Sequence, residues 1–456
     1  MSRSISGRKS RNVAFDMGVF LNQVLLDLKP FLGSAYDVLS PAVSNPSSFR
    51  STIKKLLSDA DCMDNTPRYA ALRQVEACVS KLPSWGAASA IQRQATALEK
   101  FQAAERRCRR VNRRLKHYSR FPGRLPTFVQ QVIFGAQLEL QRALGPVPCD
   151  DLLWEGCGFG PGTTFGFDRD FTIHRKLEGE QTVTPQARQL ALNVLANQFP
   201  TWTAALISNP DKNRLSLVAG NRISFVPKTA VVDRTIGIEP SLNVFLQKGV
   251  DEYLKHQARH LGVRVTDQEY SIDCLKKQGA RVSTIDLSSA SDCISSGLVK
   301  WLFPADWYVL LDTLRSHSYT LDKGKTWSHY EKFSSMGNAT TFPVESMLFA
   351  SLARSACKVV GLGSELRSSV RVYGDDIIVP WECAALLIEV LSFLGFSTNS
   401  DKTFVFGPFR ETCGVDLLDG VDVRPVYLRA IPTKPWQVAG FYNRLLSNRF
   451  GFSFHA

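Results

Sequence analysis

Apolar residues along this chain recur at two spacings, and the change from one to the other marks its elements. Over the first 150 residues they return mostly every three to four positions, so this stretch is expected to be mainly helical. Beyond residue 220 the pattern sharpens. Pro240 stands where a helix can begin, and Leu242, Phe245, Leu246, Val250, Tyr253 and Leu254 follow at helical spacing. Val282 to Leu287 reads as a strand that carries Asp286 at its end. Leu348, Phe349, Leu352, Ala356, Val359 and Val360 share one face of a second helix. In Val370 to Val379 two short β-branched runs flank Tyr373, Gly374, Asp375 and Asp376, which predicts a tight hairpin with acids at its tip. A third helix, Glu382 to Leu394, is closed by Gly395. Strand, helix, hairpin and helix in this order predict an α+β fold, a small antiparallel sheet backed by helices.

Composition widens this picture. With 456 residues and 44% hydrophobic content the chain can bury a substantial core. It has no internal repeat and no low-complexity linker, so its lobes are expected to share cores and exchange chain. A formal charge of +13 favours a polyanionic partner, nucleic acid first, through phosphate neutralisation and counterion release. No apolar run approaches the ~18 residues a membrane span needs, and Leu348 to Val360 is interrupted by Arg354, so no membrane partner is expected. The ten cysteines form no C-x-x-C pair and have no histidine at metal-ligand spacing; they read as reduced cytosolic thiols. Met1 to Arg11 is polar and basic with no apolar segment behind it, so no export is expected.

Two segments raise binding questions. The helical stretch from Ala87 to Tyr118 ends in Arg106, Arg107, Arg109, Arg110, Arg113, Arg114 and Lys116, with almost no acid after Glu105. Charge runs are commonly solvated faces, but uncompensated like charges repel one another along a helix, and the expectation is contact with RNA. From Gly156 to Gly166 a glycine-rich loop permits close backbone approach to a ligand, yet it lacks the Lys-Ser/Thr ending of a P-loop and reads equally as a structural turn.

The candidate chemistry lies in the acids. Adjacent carboxylates on a hairpin turn, close to a third, repel by about 4 kcal/mol per pair at 4 Å and an effective dielectric of 20. A cation must compensate them, and hard oxygen ligands suit Mg²⁺, which needs only one or two protein carboxylates per ion. Asp286, at the end of an apolar strand, is the expected third carboxylate beside Asp375 and Asp376. Two ions held this way suit in-line attack of a 3′-hydroxyl on an α-phosphate, with pyrophosphate leaving. A lone Gly-Asp-Asp would more simply be a turn former.

Accompanying blocks weigh against that simpler reading. Asp286-Leu-Ser-Ser-Ala-Ser-Asp292, the Ser334 to Ser346 block and Tyr373-Gly-Asp-Asp376 follow the order and spacing of the palm motifs of viral RNA polymerases. The chain resembles the replicase catalytic subunits of the leviviruses, the positive-strand RNA bacteriophages. Val226 to Pro240, Gly407 to Gly414 and Gly420 to Arg424 resemble that family specifically, and the likeness spans roughly residues 156 to 430. It implies RNA-dependent RNA polymerase activity on a right-hand fold with fingers and palm and a short or truncated thumb, because only 27 residues follow Arg429.

Carried over residue by residue, the resemblance implies that Asp286, Asp375 and Asp376 bind two Mg²⁺ ions, with Mn²⁺ a substitute. Asp292, partnered by Ser335 and Asn338, would sense the ribose 2′-hydroxyl; otherwise Asp292 is a helix cap or solvated acid and Asn338 a turn residue. Gly337 would give its loop room beside the template base or ribose. Lys228 and Arg234 would hold the incoming triphosphate, the alternative being surface solvation. Lys402 would protonate pyrophosphate as general acid, or stand as a charged strand-edge residue. Implied partners are RNA template and product, NTPs, host elongation factors Tu and Ts and a ribosomal protein, in the cytoplasm of an infected bacterium.

The expected division is residues 1–240 for the N-terminal region and fingers, 241–430 for the palm with a fingers insertion around 300–335, and 431–456 for a thumb remnant. A reverse transcriptase would put a bulky residue at the sugar-sensing position in place of Asp292 and Asn338. A non-catalytic RNA-binding protein with a polymerase fold would have lost a metal ligand, and none is lost. A two-metal nuclease gives no reason for the Ser335 to Asn338 loop or for Lys228 and Arg234.

Overall fold

The computed structural model describes residues 15–59, 62, 64–82, 88–148, 151–167, 172–207, 215–229, 231–447, 450 and 452–454. Met1 to Arg11 and Cys149 lie outside them. Two compact units are built from interleaved segments: residues 1–97, 227–234 and 414–456 form one, residues 98–226 and 235–413 the other. These boundaries cut across the three-part division expected from the sequence, because compactness follows contacts in space and not order along the chain.

In the first unit, Asp16 caps the helix Met17–Leu32 by accepting from the backbone N–H groups of Gly18 and Val19. Leu21, Val24, Leu25, Leu28 and Leu32 on that helix are buried, as are Leu72 and Val75 on the helix Thr66–Ser80. The buried Arg73 guanidinium pairs with Glu76 and Asp416.

The second unit carries the expected sheet. Its central strand is Asp376–Pro380, flanked antiparallel by Val282–Ile285 on one side and by Arg371–Tyr373 on the other. The helices Thr341–Val359 and Trp381–Phe393 back it. The first of these is buried on nearly every face, from Val344 through Cys357, which explains why its sequence reads as an almost continuous apolar run. The second ends as the sequence predicts: Gly395 (φ 95°) follows the cap, with Gly395 N–H donating to the Ser392 carbonyl and Phe396 N–H to that of Leu391, a Schellman closure. Pro240 precedes the helix Ser241–Ala258 at its N-cap. All cysteines among the described residues are unpaired by disulfides, and Cys357 and Cys383 meet in the core with sulfurs 3.0 Å apart.

One ionic link secures the scaffold. Glu139, on the helix Thr127–Leu144, accepts from Arg354 at 3.0 Å and pairs with Lys358, both on Thr341–Val359. Burial works against its charge, but the two cations outweigh that and hold its pKa below the usual carboxylate value. The stability this gives is complete above the unfolded carboxyl pKa of about 4.3 and is lost as pH falls through the lower folded value. Glu139→Gln is expected to cost about 1 to 2 kcal/mol near neutrality, between an exposed and a buried pair. Urea unfolding at pH 7 and below pH 4 checks it: the difference from the parent chain should shrink in acid.

Candidate active site

The strand register brings the three acids to one edge. Ile285 lies opposite Ile377, so the next step along both strands sets Asp286 against Asp376. Tyr373 pairs with Asp376 across a two-residue turn whose first position, Gly374, has φ 63°, the arrangement of a II′ hairpin. Only glycine suits that position, since a Cβ there would also lie 2.6 Å from Phe342 Cε2. Ser346 Oγ accepts from Gly374 N–H at 2.9 Å and ties the turn to the helix behind it. Gly374→Ala is therefore expected to displace Asp375 and lower any activity of this edge about tenfold or more, while global stability falls by only about 1 to 3 kcal/mol.

On the far side of Val282–Ile285 runs the segment from Thr398 to Phe404, bridged at Leu287 and Thr284. It delivers Asn399, whose side-chain amide donates to Asp286 Oδ2 at 2.8 Å and whose backbone N–H donates to the Asp286 carbonyl at 2.9 Å. Burial raises the Asp286 pKa against the pull of Lys402 and Asn399, and the charge of Asp375 adds to the rise. Burial, Asp375 and Asp286 together push Asp376 up to about 7. The three carboxylates thus feel one another, as the sequence predicts.

Among the described residues no three His, Cys, Asp or Glu side chains close into a ready metal cage. The donor chemistry nevertheless fits a hard divalent cation: three carboxylates at one sheet edge, two of them with pKa values raised by burial and, after it, by neighbouring carboxylates whose repulsion a cation would relieve. Lys402 stands beside them, its ammonium 2.6 Å from Glu411 Oε1. Burial disfavours its charge, but Glu411, Asp286 and Asp376 overcome this and push its pKa up.

Asp292 lies on the short helix Ala290–Cys293 and accepts from Lys332 Nζ at 2.6 Å. Lys332 is fully buried, with its ammonium 4.2 Å from the centre of the Phe101 ring. Glu345, in the helix Thr341–Val359, is buried too; burial first, then the charges of Asp375 and Asp292, push its pKa well up. Sequence reasoning missed Lys332, Glu345, Asn399 and Glu411. For Glu345 a signal existed, as the one acid within Val344 to Ala353.

The structure redistributes other expected residues. Ser335 donates to the Tyr330 hydroxyl at 3.0 Å, which donates to Asn221 at 2.7 Å, and Asn221 donates to the buried Glu239 at 2.7 Å. Asn338 Oδ1 accepts from Thr340 N–H and Oγ, which makes it the turn residue at the head of Thr341–Val359. Among the described residues no hydrogen bond joins Asp292 to Ser335 or Asn338; Asp292 accepts from Lys332. At Gly337, with φ 114°, a Cβ would lie 2.0 Å from the Gly237 carbonyl oxygen, so close backbone packing also demands glycine there.

Lys228 and Arg234 are exposed on the 227–234 segment of the first unit, whereas the carboxylates belong to the second. The Gly156 to Gly166 loop is a structural turn. Buried Lys176 donates to its Gly160 and Gly162 carbonyls at 2.6 and 2.5 Å, and Phe165 N–H donates to the Glu239 carbonyl at 2.8 Å.

Comparison with known proteins gives the chain's family. The family model described as RNA replicase, beta-chain, matches residues 33–448. The chain is 37% identical over 343 residues to the RNA-directed RNA polymerase subunit beta of Enterobacteria phage SP, covering 74% of this chain and 57% of that protein. It is 36% identical over 382 residues to the subunit of the same name from Escherichia virus Qbeta, covering 82% of this chain and 62% of that protein. The chain therefore spans about six tenths of the length of these relatives. A solved structure of an insertion-loop deletion mutant of a human picorbirnavirus RNA-dependent RNA polymerase aligns over 77% of this chain and 82% of that chain, with 14% identity and a TM-score of 0.37.

Proposed function

The chain belongs to the RNA replicase beta-chain family, and from that premise we propose that it is an RNA-dependent RNA polymerase that copies a phage RNA genome from NTPs, releasing pyrophosphate. The observation that carries this reading is the register that sets Asp286 against Asp376 beside Asp375. Two Mg²⁺ ions on these three carboxylates, with Mn²⁺ a substitute, would supply the charge that activates the attacking 3′-hydroxyl and stabilises the leaving oxygen.

The chain's own residues have separable tasks. Asn399 orients Asp286, and the Gly374 turn aims Asp375. Lys402, its pKa pushed up by surrounding carboxylates, acts on the leaving pyrophosphate as a fixed positive charge before it acts as a proton donor. Lys228 and Arg234 are assigned to the incoming triphosphate. Asp292 reads the ribose 2′-hydroxyl, and its link to the reaction centre runs through Glu345, which feels both Asp292 and Asp375.

In this reading the Val282–Ile285, Arg371–Tyr373 and Asp376–Pro380 sheet is the palm of a right-hand polymerase fold. The chain acts on RNA in an infected bacterium, with elongation factors Tu and Ts and a ribosomal protein as helpers. No helix among the described residues is long and apolar enough to cross a membrane. The purified chain, given an RNA template, Mg²⁺ and labelled ribonucleotides, is expected to incorporate label, with bacterial extract revealing any dependence on helpers. Absence of incorporation in both conditions would sink the proposal. Asp292→Ala is expected to relax the preference for ribo- over deoxyribonucleotides by about tenfold or more, read as the ratio of kcat/KM values; an unchanged ratio removes Asp292 from sugar recognition.

A further inference from the structure

The helix Ala90–Arg120 sorts its cations in a way that sequence alone does not reveal. Arg93, near its start, pairs with Asp233 at 2.9 Å, and three of the cations after Glu105 are also engaged by the protein. Arg107 donates to Ser397 Oγ at 2.9 Å, Arg109 pairs with Glu331 at 2.8 Å, and Arg114 lies 4.7 Å over the Phe393 ring. Arg107 and Arg114 are half-buried in these contacts, whereas Arg109 stays exposed beside Glu331. Arg106, Arg110, Arg113 and Arg120 remain exposed, with no acidic partner among the described residues. With 100° of rotation per residue these four and His117 fall within an arc of roughly 80°. The opposite face holds the buried Phe101, Ala104, Cys108, Val111 and Leu115.

The exposed stripe runs roughly 21 Å, at 1.5 Å per residue, so its four cations stand about 7 Å apart on average. Its end carries an aromatic. Phe121 follows the helix and is 49% exposed, with the His117 ring 5.1 Å and the Arg124 guanidinium 5.2 Å from its ring centre. An exposed phenylalanine at the end of a basic track offers a base a stacking surface while the cations hold consecutive phosphates. Unstacked bases belong to single strands; a duplex hides them.

We infer that the stripe of Arg106, Arg110, Arg113 and Arg120, with Phe121 at its end, is a binding track for single-stranded RNA, separate from the carboxylate edge. The proposal deepens the polymerase reading and rests on it for the identity of the polyanion. Binding is measured without nucleotide or divalent metal, so the two readings fail separately. A chain that binds RNA here but incorporates nothing would sink the polymerase reading alone.

The test uses the full chain and a fluorescently labelled 12-nucleotide oligouridylate, titrated at several salt concentrations, with an RNA duplex of the same length in parallel. The triple variant Arg106→Gln, Arg110→Gln, Arg113→Gln is expected to weaken binding at least about tenfold at low salt and to flatten the slope of log affinity against log salt by about 2. Phe121→Ala should weaken single-strand binding about tenfold and duplex binding less than about twofold, with Phe121→Tyr restoring it. All substituted positions face solvent, and matching circular dichroism and melting curves establish that the variants fold. An unchanged slope in the triple variant overturns the proposal, as does equal loss on single strand and duplex in Phe121→Ala. So does polyglutamate binding as tightly as RNA with Phe121→Ala affecting neither, which would make the face a docking site for acidic protein.

Discussion

Asp375→Asn is expected to lower ribonucleotide incorporation by about a thousandfold or more while RNA affinity, measured without nucleotide, stays within about twofold. Replacing one carboxylate oxygen by an amide removes a negative charge and a hard ligand from an edge that has three acids to offer. A thousandfold loss corresponds to about 4 kcal/mol of transition-state stabilisation, the scale of a bound cation's contribution. Asp375 is the member of the set that the Gly374 turn presents, and its charge is among the causes that raise Asp286, Asp376 and Glu345. Removing that charge should therefore leave the fold as stable as before or more so, because like-charge repulsion at the edge is relieved. Urea unfolding separates the outcomes. Loss of incorporation together with loss of stability and of RNA binding would mean that the turn serves structure alone.

Lys332→Met is expected to destabilise the chain by about 3 kcal/mol or more, among the larger single-residue effects here. The ammonium is completely buried, pairs with Asp292 at 2.6 Å, and is also the leading charge that favours ionisation of the buried Glu105. Methionine keeps most of the volume and the contact with Phe101, so packing changes little and the loss reports charge. Truncating one partner of a buried pair leaves the other uncompensated, which costs more than the pair itself contributed. The double variant Lys332→Met, Asp292→Asn should recover part of the loss, and simple additivity of the two single effects would show that the pair is not coupled. If Asp292 reads the sugar, Lys332→Arg should retain most of the stability yet alter the ribo/deoxyribonucleotide ratio, since a planar guanidinium holds the carboxylate in a different place.

Much of the site is legible in the sequence. The hairpin at Tyr373 to Asp376 is visible because β-branched runs, a glycine at the turn and adjacent acids are all local signals, and the strand at Val282 is readable for the same reason. The helix Thr341–Val359 extends its expected apolar face to nearly the whole circumference, since the sheet and neighbouring helices surround it. The partners of the loop from Ser335 to Asn338 cannot be read along the chain. In space Ser335 joins a buried chain of hydrogen bonds to Glu239, and Asn338 closes the turn ahead of the helix.

Element types, the strand and hairpin that carry the three acids, and the hard-ligand chemistry those acids imply are all written locally, because periodicity, turn preference and functional groups are properties of short stretches. Which charge answers which is settled only by the packed chain. Asp292 finds Lys332 forty residues away, burial and the charges of Asp375 and Asp292 push the Glu345 pKa up, and Arg107, Arg109 and Arg114 of one helix find partners while Arg106, Arg110, Arg113 and Arg120 stay exposed. Electrostatic compensation falls off with distance through space, and a folded chain sets those distances without regard to separation along it.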